Sequence, residues 1–160
     1  MQKTIAALVP MRHSSERVPG KNYRDFNGRP LYHWVIDSLL SCDKITQVVI
    51  DTDSPTIMED AAKHFSNVTI LERPEHLRAG ETPMNDVLLN SINQVKADFY
   101  LQTHSTNPLL SPESVSNAVN TFLENYPVYD SLFGVTRLQT RLWDVLGRAV
   151  NHNQNILLRT

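Results

Sequence analysis

Several features that mark particular protein classes are missing from this sequence. Cys42 is the single cysteine in 160 residues, so no internal disulfide can form, as is typical of proteins kept in a reducing compartment. No apolar run approaches the ~18 residues of a membrane-spanning helix, and no apolar signal region follows Met1. The net charge of −2 gives no reason to expect a nucleic-acid or membrane partner. These absences predict a soluble, cytoplasmic protein.

Familiar motifs for phosphates and metals are missing as well. Gly20 and Lys21 are followed by Asn22 rather than serine or threonine, and no glycine stands five residues before Gly20, which excludes a P-loop. The Gly-x-Gly-x-x-Gly dinucleotide pattern does not occur. The six histidines show no His-x-x-x-His spacing, and Cys-x-x-Cys is absent, so the sequence predicts no protein-built zinc site.

What the sequence does contain is an alternation of strand and helix patterns. Aliphatic segments at residues 4–9, 46–50, 68–71, 98–102 and 131–135 are typical of strands in a parallel sheet. Between them, apolar residues recur at helical spacing in segments that begin near Pro30, Pro55, Pro83 and Pro112. This alternation predicts a three-layer α/β sandwich with a doubly wound, mostly parallel sheet, folded as a single domain over residues 1–160.

In such a fold the loops that follow the strands emerge at one edge of the sheet. Residues 11–22, 51–54, 73–83 and 103–111 should therefore meet there and form the functional site. The first loop is basic, because residues 12–29 hold five of the fifteen Lys and Arg residues against two acids. An anion is its natural partner. Asp53 in the second loop could serve the site, but we favour an N-cap for the helix that begins at Pro55.

Short motifs carry a family resemblance along almost the whole chain. They lie at residues 9–22, 27–31 (Asn-Gly-Arg-Pro-Leu), 51–53 (Asp-Thr-Asp), 73–77 (Arg-Pro-Glu-His-Leu), 82–83 (Thr-Pro) and 106–109 (Thr-Asn-Pro-Leu). Each motif is weak alone, but the ordered set resembles the acylneuraminate cytidylyltransferase family, the CMP-sugar synthetases. The resemblance implies a Rossmann-like nucleotide-diphospho-sugar transferase fold. It also implies a nucleotidyltransferase that moves CMP from CTP to a nonulosonic, sialic-type keto acid sugar and releases pyrophosphate.

The resemblance also assigns roles to individual residues. Arg12 and Lys21 would be catalytic, because they would hold the triphosphate and offset the charge that develops on the leaving pyrophosphate. The nucleotide-binding positions would be Pro10, Met11, Arg12, Ser15, Lys21, Asn22, Thr82 and Met84. Met84 stands where the family often has serine. His104, which replaces a glutamine of the family, and Thr106 would contact the sugar or the ribose.

Further segments follow in relatives of this family, including acidic metal ligands and an arm that reaches a partner subunit. The resemblance therefore implies Mg²⁺ as cofactor, with its ligands outside this chain, and a homodimer. It also implies that the domain is truncated at its C-terminus relative to the family, which leaves open whether the 160-residue chain is active alone.

Three alternatives remain. A cytidylyltransferase for 3-deoxy-manno-octulosonate would share the Arg-x-x-Ser and Pro-Gly-Lys elements, but its turn after the fourth strand usually carries acids where this chain has Thr106 and Asn107. A non-catalytic nucleotide-binding module would bind CTP without turnover. An unrelated α/β protein, whose basic loop is only surface, would show no CTP-dependent thermal shift. On a purely structural interpretation, Arg12 and Lys21 would pair with Glu16 and Asp25.

Overall fold

Strands and helices alternate along the first 130 residues of the computed structural model, which describes residues 3–15 and 17–153. In chain order the elements are β1 (Ile5–Met11), β2 (Asp25–Phe26), β3 (Arg29–Pro30), α1 (Leu31–Leu40), β4 (Gln47–Thr52), α2 (Pro55–His64), β5 (Val68–Glu72), α3 (Met84–Gln94), β6 (Phe99–Gln102) and α4 (Pro112–Asn125). Short 3-10 turns lie at Lys21–Tyr23 and Glu75–Leu77. The chain divides into two compact units, Met1–Asp130 and Ser131–Thr160.

The central sheet has four strands in the order β5-β4-β1-β6, and every neighbouring pair is parallel. The chain moves outward from β1 to β4 and β5, and then returns to place β6 on the other side of β1. The strand order therefore reverses beside β1, and in open α/β sheets ligands bind outside the carboxyl ends of the strands at that point. The predicted α/β class with a parallel sheet is confirmed.

Successive residues of a strand point to opposite faces of the sheet. Both faces of this sheet carry apolar residues, and helices cover each face. In β1, Ala7, Val9 and Met11 join one apolar cluster with residues of α1, α2 and α4. Ala6 and Leu8 join a second cluster, against which residues of α3 pack. The result is the predicted three-layer arrangement. In the part of the chain that the structure describes, no helix combines the length and apolar character needed to cross a bilayer.

The two helices that begin with proline are capped by serine. Ser54 Oγ accepts a hydrogen bond from Ile57 N at 3.3 Å at the start of α2, and Ser111 Oγ accepts one from Ser114 N at 3.2 Å at the start of α4. A side-chain oxygen at this position satisfies an amide that has no partner within the helix. Our prediction that Asp53 caps α2 is therefore wrong by one residue, and Asp53 makes a different contact.

A small antiparallel hairpin, β2–β3, lies between the basic loop and α1. Its two central residues have positive φ values, 55° at Asn27 and 88° at Gly28, as a tight hairpin turn requires. Trp34 Nε1 of α1 donates to the Phe26 carbonyl oxygen at 3.0 Å, which fixes the hairpin on the helix.

The predicted fifth strand at residues 131–135 is wrong. In the described part of the chain this segment belongs to neither sheet, and Phe133 and Val135 are 82% and 79% exposed. Apolar content alone suggested the strand, but a strand is stable only when it pairs and buries one face. In the second unit Trp143 and Ala149 form an antiparallel bridge, with a turn at Gly147 between them, where φ is +74°.

Candidate functional site

Residues 12–22, which we call the basic loop, begin where β1 ends and are tied to the loop after β4. His13 N donates a hydrogen bond to Asp53 Oδ1 at 2.7 Å. A second hydrogen bond joins His13 Nδ1 and Ser54 Oγ at 2.8 Å. The first turn of the basic loop is thus held against the start of α2, and the predicted meeting of these loops is observed.

The far end of the basic loop is held by Asn22. Its Nδ2 donates to the Arg12 carbonyl oxygen at 2.8 Å, and its Oδ1 accepts a hydrogen bond from Ser105 Oγ at 2.9 Å. Asn22 and Ser105 are only 7% and 4% exposed, so water competes little for these bonds. Asn22 closes the basic loop on itself and fastens it to the loop after β6. We call these contacts the Asn22 clamp.

Gly20 makes the turn inside the basic loop possible. Its φ is +64°, a conformation that is unfavourable for residues with a Cβ atom. A Cβ atom there would also lie 2.8 Å from Tyr23 Cε2. The Tyr23 ring stacks on the His13 ring with their centroids 5.5 Å apart. The turn therefore brings Tyr23, the residue that follows the basic loop, against His13 near the start of the loop.

Arg12 and Lys21 lie near the two ends of this loop, and both are half-buried. Over residues 3–15 and 17–153, neither side chain takes part in an ion pair. The structural interpretation pairs Lys21 with Asp25. In the structure, Asp25 instead accepts a hydrogen bond from Gly28 N at 3.4 Å. The other proposed partner, Glu16, lies outside the described residues. Two cations on a loop held at both ends can face an anion without first breaking an ion pair in the described part of the protein.

The loop after β5 is held from inside the protein by Arg73, which is 1% exposed. Arg73 Nε donates to Asp51 Oδ1 at 2.6 Å, and Ser91 Oγ donates to Asp51 Oδ2 at 2.9 Å. Arg73 N also donates to the Thr52 carbonyl oxygen at 2.8 Å. This buried network joins β4, α3 and the start of the loop that carries Thr82. Its arginine belongs to a motif of the family resemblance but serves here to position the loop.

The other predicted site residues fall into two groups. Pro10 and Met11 end β1 with buried side chains, while Ser15 lies half-buried in the basic loop. Thr82, half-buried, precedes the exposed Met84 at the start of α3, and His104 and Thr106 are exposed in the turn after β6. Among the described residues, no hydrogen bond links Thr82, Met84, His104 or Thr106 to the basic loop. The structure therefore joins Arg12 and Asn22 directly and places the remaining positions on neighbouring loops.

Asp51, in β4, and Asp53, which directly follows β4, do not make a magnesium site by themselves. Mg²⁺ takes hard oxygen ligands, commonly one or two carboxylates together with substrate phosphates. Both oxygens of Asp51 are engaged by Arg73 and Ser91, and Asp53 Oδ1 accepts the His13 amide. Asp51 and Asp53 thus offer no prepared pair of carboxylates, and we assign no step to a metal ion here.

Comparison with known proteins places these features in a family. The cytidylyltransferase family model matches residues 6–158. The 3-deoxy-manno-octulosonate cytidylyltransferase of Escherichia coli is 30% identical over 115 residues, which are 72% of this chain and 44% of that protein. The pseudaminic acid cytidylyltransferase of Campylobacter jejuni is 27% identical over 137 residues, 82% of this chain and 58% of that protein. The chain spans about half the length of these curated relatives.

Solved structures share the fold. A CMP:2-keto-3-deoxy-manno-octonic acid synthetase complexed with CTP has a TM-score of 0.67 at 23% identity, over 78% of this chain and 49% of that one. The 4-diphosphocytidyl-2C-methyl-D-erythritol synthase of Anaerococcus prevotii has a TM-score of 0.62 at 14% identity, over 92% of this chain and 62% of that one. Since the family model covers nearly the whole sequence, the chain belongs to the cytidylyltransferase family, whose named relatives are nucleotidyltransferases.

Proposed function

We propose that this protein transfers a cytidylyl group from CTP to an acidic keto sugar and releases pyrophosphate. The observation that carries the proposal is the basic loop, with Arg12 and Lys21 held at the carboxyl edge of the sheet by the Asn22 clamp and by Asp53. Membership of the cytidylyltransferase family supports the choice of CTP as the anion.

The proposed reaction suits this arrangement. A sugar hydroxyl attacks the α-phosphorus of CTP, the bond to the β-phosphate breaks, and negative charge collects on the departing pyrophosphate. Arg12 and Lys21 would bind the phosphates and stabilise that charge. Because both loop ends are already held, little reorganisation would be needed when the charge develops. The loops that carry Thr82, Met84, His104 and Thr106 would complete the base and sugar pockets.

Two keto sugar classes are supported, and the nonulosonic, sialic-type sugar is our first candidate. The similarity to pseudaminic acid cytidylyltransferase extends over 82% of this chain. The chain also has Thr106 and Asn107 at the turn after β6, where the family resemblance leads us to expect acids in an octulosonate enzyme. The second candidate is 3-deoxy-manno-octulosonate, because the Escherichia coli enzyme for that sugar is 30% identical.

The family resemblance supports three further proposals. The activity should depend on Mg²⁺, with metal ligands other than Asp51 and Asp53. The protein should act as a homodimer, and it should work in the cytoplasm.

Pyrophosphate release tests the proposal. The protein is incubated with each of the four nucleoside triphosphates in turn and with sialic, pseudaminic and octulosonic acids. We expect turnover with CTP and one sugar class, and losses of roughly 10²–10³ in kcat for Arg12→Ala and Lys21→Ala, because each removes a group that stabilises developing charge. Arg17→Ala, on the same loop, is the matched control. Turnover without a CTP preference, or full activity in both variants, would refute the proposal, and CTP binding without turnover would favour a non-catalytic module.

A further inference from the structure

Outside the carboxyl-edge loops, two histidines and an aspartate from different helices come together. His33 lies in the first turn of α1, while Asp60 and His64 lie four residues apart near the end of α2. One nitrogen or oxygen atom from each residue can be chosen so that all three atoms lie within 4.8 Å of one another. We propose that His33, Asp60 and His64 bind a divalent transition-metal ion, with zinc as the reference metal.

The arrangement centres on the Asp60 carboxylate. Its Oδ2 lies 2.6 Å from His33 Nε2, and its Oδ1 lies 3.1 Å from His64 Nδ1. Imidazole nitrogen and carboxylate oxygen are the ligand types that zinc and its neighbours bind in proteins. A bound ion would lie among these three atoms and would replace the contact that His64 Nδ1 now makes with the Asp60 carbonyl oxygen at 2.9 Å. The same atoms would then serve as ligands with no change of backbone.

The site also has the outer support that metal ligands require. Tyr32 Oη donates a hydrogen bond to Asp60 Oδ2 at 2.5 Å and is fully buried. A hydrogen bond of this kind orients a ligating carboxylate, and such outer partners commonly tune metal affinity.

Small movements would complete the geometry. A tetrahedral zinc ion at ~2.0–2.2 Å from its ligands holds them about 3.3 Å apart. His33 is held in place by packing, with a side chain that is 7% exposed, whereas the His64 side chain is 56% exposed at the last residue of α2 and can rotate. Bringing the three ligands to these distances therefore requires the largest movement from His64, which is the least constrained of them.

Three protein ligands leave a fourth position open. His33 and His64 also line a surface depression of about 400 Å³ together with Gly28, Arg29, Asp37 and Phe65. Water or a small anionic group could reach the ion from that side, as at zinc sites with an open position. The ion would link α1 to α2 on one face of the sheet, separate from the nucleotide site.

Zinc titration tests this inference. The full chain is used without a tag and without CTP, after a chelator has removed bound metal. Calorimetry should give one zinc ion per chain, and Co²⁺ should produce the visible absorption of a tetrahedral site. His64→Ala should weaken zinc binding by roughly tenfold or more, since even outer-shell changes cost about 10–100-fold. His76→Ala, which removes an exposed histidine from the 3-10 turn at Glu75–Leu77, is the matched control and should leave the affinity unchanged.

A second variant keeps the test decisive if His64→Ala fails to fold. Asp60→Asn retains an acceptor for Tyr32 Oη but removes the anionic ligand, and it should also weaken zinc binding at least about tenfold. Zinc should raise the Tm of the wild type but not of either variant. Equal zinc affinity in wild type and in the folded variant, or an equal loss in His76→Ala, would overturn the site. Neither result bears on CTP binding.

Discussion

Replacing the buried Arg73 with methionine should destabilise the protein strongly. The substitution removes the charged partner of Asp51 but keeps a long apolar side chain. The aspartate, which is 1% exposed, is then left with Ser91 Oγ as its side-chain donor. Breaking one half of a buried ion pair costs about 3–5 kcal/mol, because a charge is left in a medium that cannot solvate it. At about 2–4 °C per kcal/mol for a chain of this size, the Tm should fall by roughly 6–20 °C.

Urea unfolding followed by circular dichroism measures this loss. Arg78→Met is the matched control. Arg78 pairs with Glu72 at 3.0 Å with both side chains partly exposed, and its Nε donates to the Arg73 carbonyl oxygen at 2.8 Å, so losing both contacts should cost about 1–2 kcal/mol. The double variant Arg73→Met with Asp51→Leu should recover part of the stability, because no buried charge is left without a partner. A loss below about 1 kcal/mol in Arg73→Met would refute the role that we assign to the buried pair.

Two further predictions concern a turn and a strand end. In urea unfolding, Gly20→Ala should lose more stability than Gly28→Ala. Both variants force alanine to a positive φ, which costs about 1–2 kcal/mol. Only the Cβ added at Gly20 meets another side chain, Tyr23, at 2.8 Å. Equal losses would contradict the crowding. The backbone amide of Thr4, and then its hydroxyl, hold the pKa of Asp98 below its usual value. A lowered pKa contributes stability above the unfolded value of about 3.9 and loses it as the pH falls through the folded value. The Tm gap between wild type and Asp98→Asn should therefore close in acid, and a gap that widens would contradict this sign.

The elements of the fold could be predicted because their signals are local. The four paired strands begin and end within two residues of the predicted positions, since each is a short aliphatic run between polar residues. The segment at 131–135 has the same local pattern, yet pairing depends on a neighbouring strand that no local pattern reveals. The β2–β3 hairpin was missed, although Asn27 and Gly28 are the residues that a tight hairpin turn favours.

The site could be placed from the sequence but its internal contacts could not. The basic loop was evident from charge and from its position after β1. The bond from Ser105 to Asn22, in contrast, joins residues 83 positions apart and depends on how β6 lies beside β1. Arg73 was unexpected in the interior, because arginine is almost never fully buried without a partner. Asp60 and His64 have the i, i+4 spacing of one helix face, a signal that a search for paired histidines overlooks.

The most direct test of the central claim is the affinity of the chain for CTP, measured by calorimetry. Arg12→Ala and Lys21→Ala should each weaken binding at least about tenfold, since a hydrogen bond to a charged group contributes about 1.5–3 kcal/mol. Arg17→Ala, an exposed arginine on the same loop, should stay near the wild-type value. Cytidine monophosphate should respond less to both variants, because it lacks the outer phosphates. Wild-type CTP affinity in both variants would show that the basic loop does not hold the triphosphate.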